Sequence, residues 1–231
     1  MSVNPILSPG EVKTDMTKST HFRLKLAVNI FILAATLFAF YLMYFRNEGL
    51  LLAKGIAAFK YFTVLSNAFG GVMAAVWLAF AAVGRGKEPP RQVALLKFTS
   101  AVCLGLTFVT VMVFLGYIYG YYAMLRNANL WFHLLIPLAA MGELIFLNEQ
   151  RISVINCAGA MLPMLGYAAA YLTYNLIMGK GENPLQYDWY GFLLWGWGVG
   201  VGIFAVICAV TFLIGALLRV FNLFVRRKYH T

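Results

Sequence analysis

Residues 98–120 read FTSAVCLGLTFVTVMVFLGYIYG, an unbroken apolar run with no charged side chain. A spanning helix needs about 20 predominantly apolar residues. A continuous run, without alternation over ten-residue segments, reads as a helix and not as a barrel strand. Five more runs of this kind lie at 26–45, 61–83, 130–147, 153–178 and 192–218. Charged or turn-rich stretches at 46–60, 84–97, 121–129, 148–152 and 179–191 separate them. The expected fold is all-α: a polytopic integral membrane bundle of six transmembrane helices, one domain over residues 1–231. Pro137 is expected to kink the fourth run.

Composition points the same way. The chain is 62% hydrophobic and 11% charged, whereas soluble domains carry about 25% charged residues. A water-facing surface cannot be built from it. Residues 1–25 are polar, and no short apolar run precedes Lys13, Lys18, Arg23 and Lys25. They read as a tail leading into a start-transfer helix, not as a cleavable signal. Cys103, Cys157 and Cys208 all fall inside runs without paired spacing. They are expected to be small core residues, with no disulfide framework, metal site or cofactor.

Thirteen of the 18 Lys and Arg residues lie in 1–25, 84–97, 148–152 and the segment after 218, and only Arg46, Lys54, Lys60, Arg126 and Lys180 lie in the alternate segments. By the positive-inside rule both termini are expected to be cytoplasmic, in the plasma or cell membrane. The net charge of +10 then reflects topology and contact of the basic tails (1–25 and 219–231) with anionic inner-leaflet lipids, not nucleic-acid binding. Tyr and Trp gather at the expected outer ends. This is either an interfacial belt or an aromatic-lined substrate cavity formed by Tyr61, Trp131, Tyr117, Tyr171, Tyr174, Asn175 and Trp195.

Polar side chains inside hydrocarbon are costly and mark candidate sites. In the second run, Thr63, Ser66, Asn67, Gly70, Gly71 and Ala74 recur at three- and four-residue spacing and share one face. Small residues and hydroxyls also line helix contacts in membranes, which suits Ser66, Gly70, Gly71 and Ala74. In the fourth run, His133 is either an interfacial residue satisfied by water or a proton acceptor at neutral pH. Both runs start at the same face, so Thr63 and His133 share a depth about one turn in. A threonine hydroxyl becomes a nucleophile only when a base removes its proton.

Tyr61-Phe62-Thr63-Val64-Leu65-Ser66-Asn67 and Trp131-Phe132-His133-Leu134-Leu135-Ile136-Pro137 together resemble the androgen-induced and androgen-dependent TFPI-regulating membrane proteins and their bacterial six-helix relatives. That resemblance implies a hydrolase of fatty acid esters of hydroxy fatty acids, with Thr63 as nucleophile and His133 as base. Ser66 before Asn67, and the surroundings of His133, differ from the animal members. A non-enzymatic carrier or receptor for a lipid or small amphiphile is the alternative.

Other polar residues have expected roles. Asn67 either joins helices or supports the site by orienting His133 or donating to an oxyanion. Glu143 lies about 15 Å deeper than His133 at 1.5 Å per residue. It is expected to pair with Arg151 or Asn156, with proton relay as the alternative. Asp188 is expected to be a solvated loop residue or to orient His133. Lys54 and Lys60 are expected to anchor the interface or attract an anionic group. Gly196, Gly198, Gly200 and Gly202 form small-xxx-small pairs expected to pack against another helix.

Overall fold

The computed structural model describes residues 9–46, 55–84, 89–179, 181–183 and 185–229. Among the described residues every regular element is helical. Six helices are long and apolar enough to cross a membrane: Ser19–Phe45, Phe62–Val83, Arg91–Tyr119, Ala128–Leu147, Val154–Met178 and Trp197–Lys228. These are the six runs of the sequence. The described parts of both expected tails continue them as helix, from Pro9 in the first helix and to Tyr229 in the last. Lys54, Lys180, Arg85 and Lys87 lie outside the described residues.

The sixth span starts at Trp197, not at residue 192. Gly191 and Gly196 have φ of 71° and 97°, a backbone region that glycine enters without a Cβ penalty. The chain therefore turns twice before it can begin a helix. The fifth span is two helices, Val154–Gly159 and Leu162–Met178. Ser153 and Asn156 form a capping box that starts the first of them, satisfying N–H groups that a helix end leaves open.

The first four spans form the core. The first packs on the second, the second on the third, the third on the fourth, and the fourth closes back on the first. The sixth lies across the third and fourth. The fifth sits outermost, against the sixth and the third. Asn222 fixes the sixth span to the end of the fourth. Its amide donates to the carbonyls of Leu144, Ile145 and Asn148 at 2.9, 3.2 and 2.9 Å, groups that the end of a helix leaves without N–H partners.

The glycine pairs of the sixth span do not form the expected seam. Among the described residues a Cβ built on Gly196, Gly198 or Gly202 meets nothing within 4 Å, and the atoms nearest Gly200 belong to Leu193 and Phe192 of the preceding turn. The turn folds back over that helix face and takes the place of a neighbouring helix. Cys103, Cys157 and Cys208 are buried free thiols.

Candidate active site between the second and fourth spans

The second span begins at Phe62 after an extended Tyr61 (φ −88°, ψ 134°). Thr63 is the second residue of the helix, so its N–H has no intrahelical acceptor. At 100° per residue, Ser66 and Asn67 lie about 60° and 40° to either side of Thr63. Ser66 faces the third span, where its hydroxyl shares a 2.9 Å hydrogen bond with that of Thr107. Asn67 faces the fourth span. Thr63, half-buried, lies on the arc between them.

In the fourth span Pro137 has no N–H to offer the carbonyl four residues back. The chain takes a π-helical turn over Trp131–Leu135 immediately before it. The expected kink is thus a widened turn, a form that recurs at functional sites. It carries His133, which is 1% exposed. His133 Nδ1 lies 2.7 Å from the Met124 carbonyl. A carbonyl only accepts, so Nδ1 carries the proton, and the lone pair of the neutral ring is on Nε2.

Asn67 joins the two segments. It is fully buried, and its amide donates to Thr63 O at 2.8 Å and to Phe132 O at 3.0 Å. One side chain therefore holds the backbone of Thr63 and the residue before His133 in fixed relation. It acts as the interhelical tie the sequence allowed. Among the described residues its buried Oδ1 has no hydrogen-bond partner. Among the described residues no hydrogen bond joins the Thr63 hydroxyl to His133.

The aromatic cavity is replaced by packing. Tyr171 is 1% exposed and lies among Trp189, Tyr190, Phe192 and Phe204 at centroid distances of 4.6–6.1 Å. Tyr61 packs edge-on to Tyr190, and Tyr174 packs on Trp189. Asn175 turns back to donate to Tyr171 O. Trp131 packs on Phe31 and Phe38 of the first span. Tyr117 and Trp195 are exposed at 86% and 71%, at the positions of an interfacial belt. Offset and edge-on contact between rings is favourable in itself, so the aromatic rings brought together by the 185–196 segment pack on one another.

Asp188 organises that segment and is buried, and among the described residues no hydrogen bond joins it to His133. It accepts from the Tyr171 hydroxyl and from Phe192 and Leu193 N–H at 3.0 and 2.8 Å. The Tyr190 hydroxyl in turn accepts from Phe62 N–H at 2.9 Å, so the 185–196 segment caps the helix that presents Thr63. Lys60 Nζ stands 5.5 and 5.6 Å from the Tyr61 and Trp189 rings, a cation–π anchor.

Glu143 does not pair with Arg151 or Asn156. It binds Lys97 of the third span and accepts from Asn29 of the first at 2.7 Å. Asn156 is taken by Ser153. An apolar groove of about 430 Å³ runs beside the second span, lined by Phe62, Leu65, Ser66, Phe69, Cys103 and Tyr167 among others. Among the described residues no group of His, Cys, Asp and Glu is arranged to hold a metal ion. No protein-family model, curated protein or solved structure matches the chain.

Proposed function

We propose that this chain is an intramembrane threonine hydrolase of lipid esters. Thr63 attacks the ester carbonyl while His133 Nε2 takes the hydroxyl proton and passes it to the departing alcohol. The resulting acyl-Thr63 is then hydrolysed by water. The observation that supports this assignment is the Asn67 tie: one amide holds the carbonyls of Thr63 and of Phe132, the residue before His133, whose ring is held in the tautomer with a basic Nε2. Contact between hydroxyl and imidazole closes on substrate binding, as catalytic hydrogen bonds commonly do. The Thr63 N–H at the helix start is a donor for the oxyanion, and the adjoining groove has the apolar lining an acyl chain requires. The resemblance of the two motifs to the androgen-induced hydrolases supports the same chemistry. In this proposal both termini are cytoplasmic, because the basic residues gather at their end, where they meet anionic lipid headgroups.

Thr63→Ala and His133→Ala, purified in detergent and checked for retained folding, are each expected to lower turnover of a lipid ester at least 10²-fold, the lower limit of a general base's contribution. Full activity in either variant contradicts the assignment. A carrier would use the same groove and need neither side chain.

A further inference from the structure

Hydrolysis of an acyl-threonine consumes water, and Thr63 is half-buried at a helix start capped by Tyr190, which packs on Tyr61. The opposite, basic end of the four-span core holds a cavity of about 40 Å³ lined by Lys25, Trp77, Lys97, Ser100, Glu143 and Gln150 among others. That is room for about two or three waters and too little for a lipid headgroup. Its polar walls come from charged groups inside the spans: Lys97 binds Glu143, donates to Asn29 Oδ1 at 2.5 Å and stands 5.4 Å from the Trp77 ring. Ionisable groups at this depth face bundle interiors or water-filled spaces.

Towards the Thr63 end the cavity is lined by small residues of three spans, Gly70 and Ala74, Ala101, and Ala140, and the Leu104 side chain packs against Gly70 there. Gly70 and Ala74 each lie seven residues, about two turns, below Thr63 and Asn67 on the same face of a regular helix. Ala140 lies seven residues below His133. Gly70 is also only three residues, about 4.5 Å of rise, from Asn67. The next polar side chain above the cavity on the second span is Asn67, fully buried, whose Oδ1 has no partner among the described residues. An unpaired buried carbonyl is costly unless water reaches it.

We propose that this cavity is the water entry of the site, a route from the basic end past Gly70, Ala74 and Ala140 to Asn67 Oδ1. This proposal rests on the hydrolase assignment above. Water held by Asn67 attacks the acyl carbon. Its oxygen bonds to that carbon, the Thr63 Oγ1–acyl bond breaks, one water proton passes to His133 Nε2, and that proton returns to Thr63 Oγ1. The products are a carboxylic acid and the free hydroxyl.

Two measurements test it. In a variant with all three cysteines replaced, Ala140→Cys reconstituted in vesicles should react with a membrane-impermeant methanethiosulfonate applied at the basic end, as should Gln150→Cys at the mouth. Reaction at Gln150→Cys without reaction at Ala140→Cys overturns the route. In the otherwise native chain, Ala74→Leu and Ala140→Leu should keep the first-turnover burst of a chromogenic ester and lower steady turnover at least tenfold, because acylation needs no water and deacylation does. Variants with a normal burst and unchanged steady turnover overturn the proposal alone. Absence of any acyl-Thr63 in the native protein overturns the hydrolase assignment and this proposal together, while the thiol reaction still reports whether the cavity is wet.

Discussion

Asn67 is the residue on which the site's geometry depends. Its amide serves two carbonyls on two spans, so Asn67→Ala removes both bonds at once. A net contribution of about 0.5–1.5 kcal/mol per bond sets the expected loss at about 1–3 kcal/mol of stability. Ester turnover should fall more than that loss explains, because Thr63 and the π turn are no longer held in register. Thermal unfolding in detergent, measured beside kcat, separates the two effects. Thr63, Asn67 and His133 were legible in the sequence because hydrocarbon penalises every polar side chain within it. Their relation was not legible. Helical spacing puts Asn67 on the face of Thr63, but only tertiary packing decides that this face meets the fourth span at Phe132. The missing Pro137 N–H was visible as a helix fault; that the fault would widen into a π turn depended on how neighbouring helices accommodated it.

At the scale of elements, the 185–196 segment behaves as a plug fastened by Asp188 and Tyr190. Asp188→Ala strands the buried donors of Tyr171, Phe192 and Leu193, each costing about 1–3 kcal/mol when unpaired. It is expected to lower the detergent melting temperature markedly, whereas an exposed loop carboxylate would leave it unchanged. Burial pushes the Tyr190 hydroxyl up to about 12, and burial also raises Tyr61. An unfolded tyrosine releases its proton near pH 10. The stabilisation is therefore complete below about pH 10 and is lost as pH rises from there through about 12. Tyrosinate absorbance and melting temperature followed together from pH 8 to 12 should show the loss, and Tyr190→Phe should weaken it. The sequence located these aromatics at one end but could not distinguish a lined hollow from a packed plug. That choice was made by two glycine turns, at Gly191 and Gly196, which fold the segment onto the fifth and sixth spans.

At the scale of the whole molecule, the four-span core has two polar levels: Thr63, Asn67 and His133 towards the aromatic end, and Asn29, Lys97 and Glu143 towards the basic end. The lower level ties three spans together through Glu143. Removing one member of a buried ion pair costs about 3–5 kcal/mol, while replacing both with apolar groups is often neutral. Glu143→Leu alone should therefore destabilise the protein more than Glu143→Leu combined with Lys97→Met. A double-mutant cycle on thermal unfolding reads the difference, and additive losses would deny the coupling. Six crossings could be read from hydropathy alone because a bilayer needs length and apolarity, nothing finer. The Lys97–Glu143 pair was within reach of the same reasoning, since both residues lie near the basic ends of adjacent spans. Sequence distance drew attention to Arg151, which follows the same helix, and away from the neighbouring one.

The assignment of Thr63 as a base-activated nucleophile is tested most directly by covalent capture. The native protein is treated with a fluorophosphonate, and the modified residue is located by mass spectrometry. The prediction is one adduct on the Thr63 hydroxyl, lost in Thr63→Ala and slowed at least tenfold in His133→Ala. An unmodified native chain, or an adduct that forms at the same rate without His133, would contradict it.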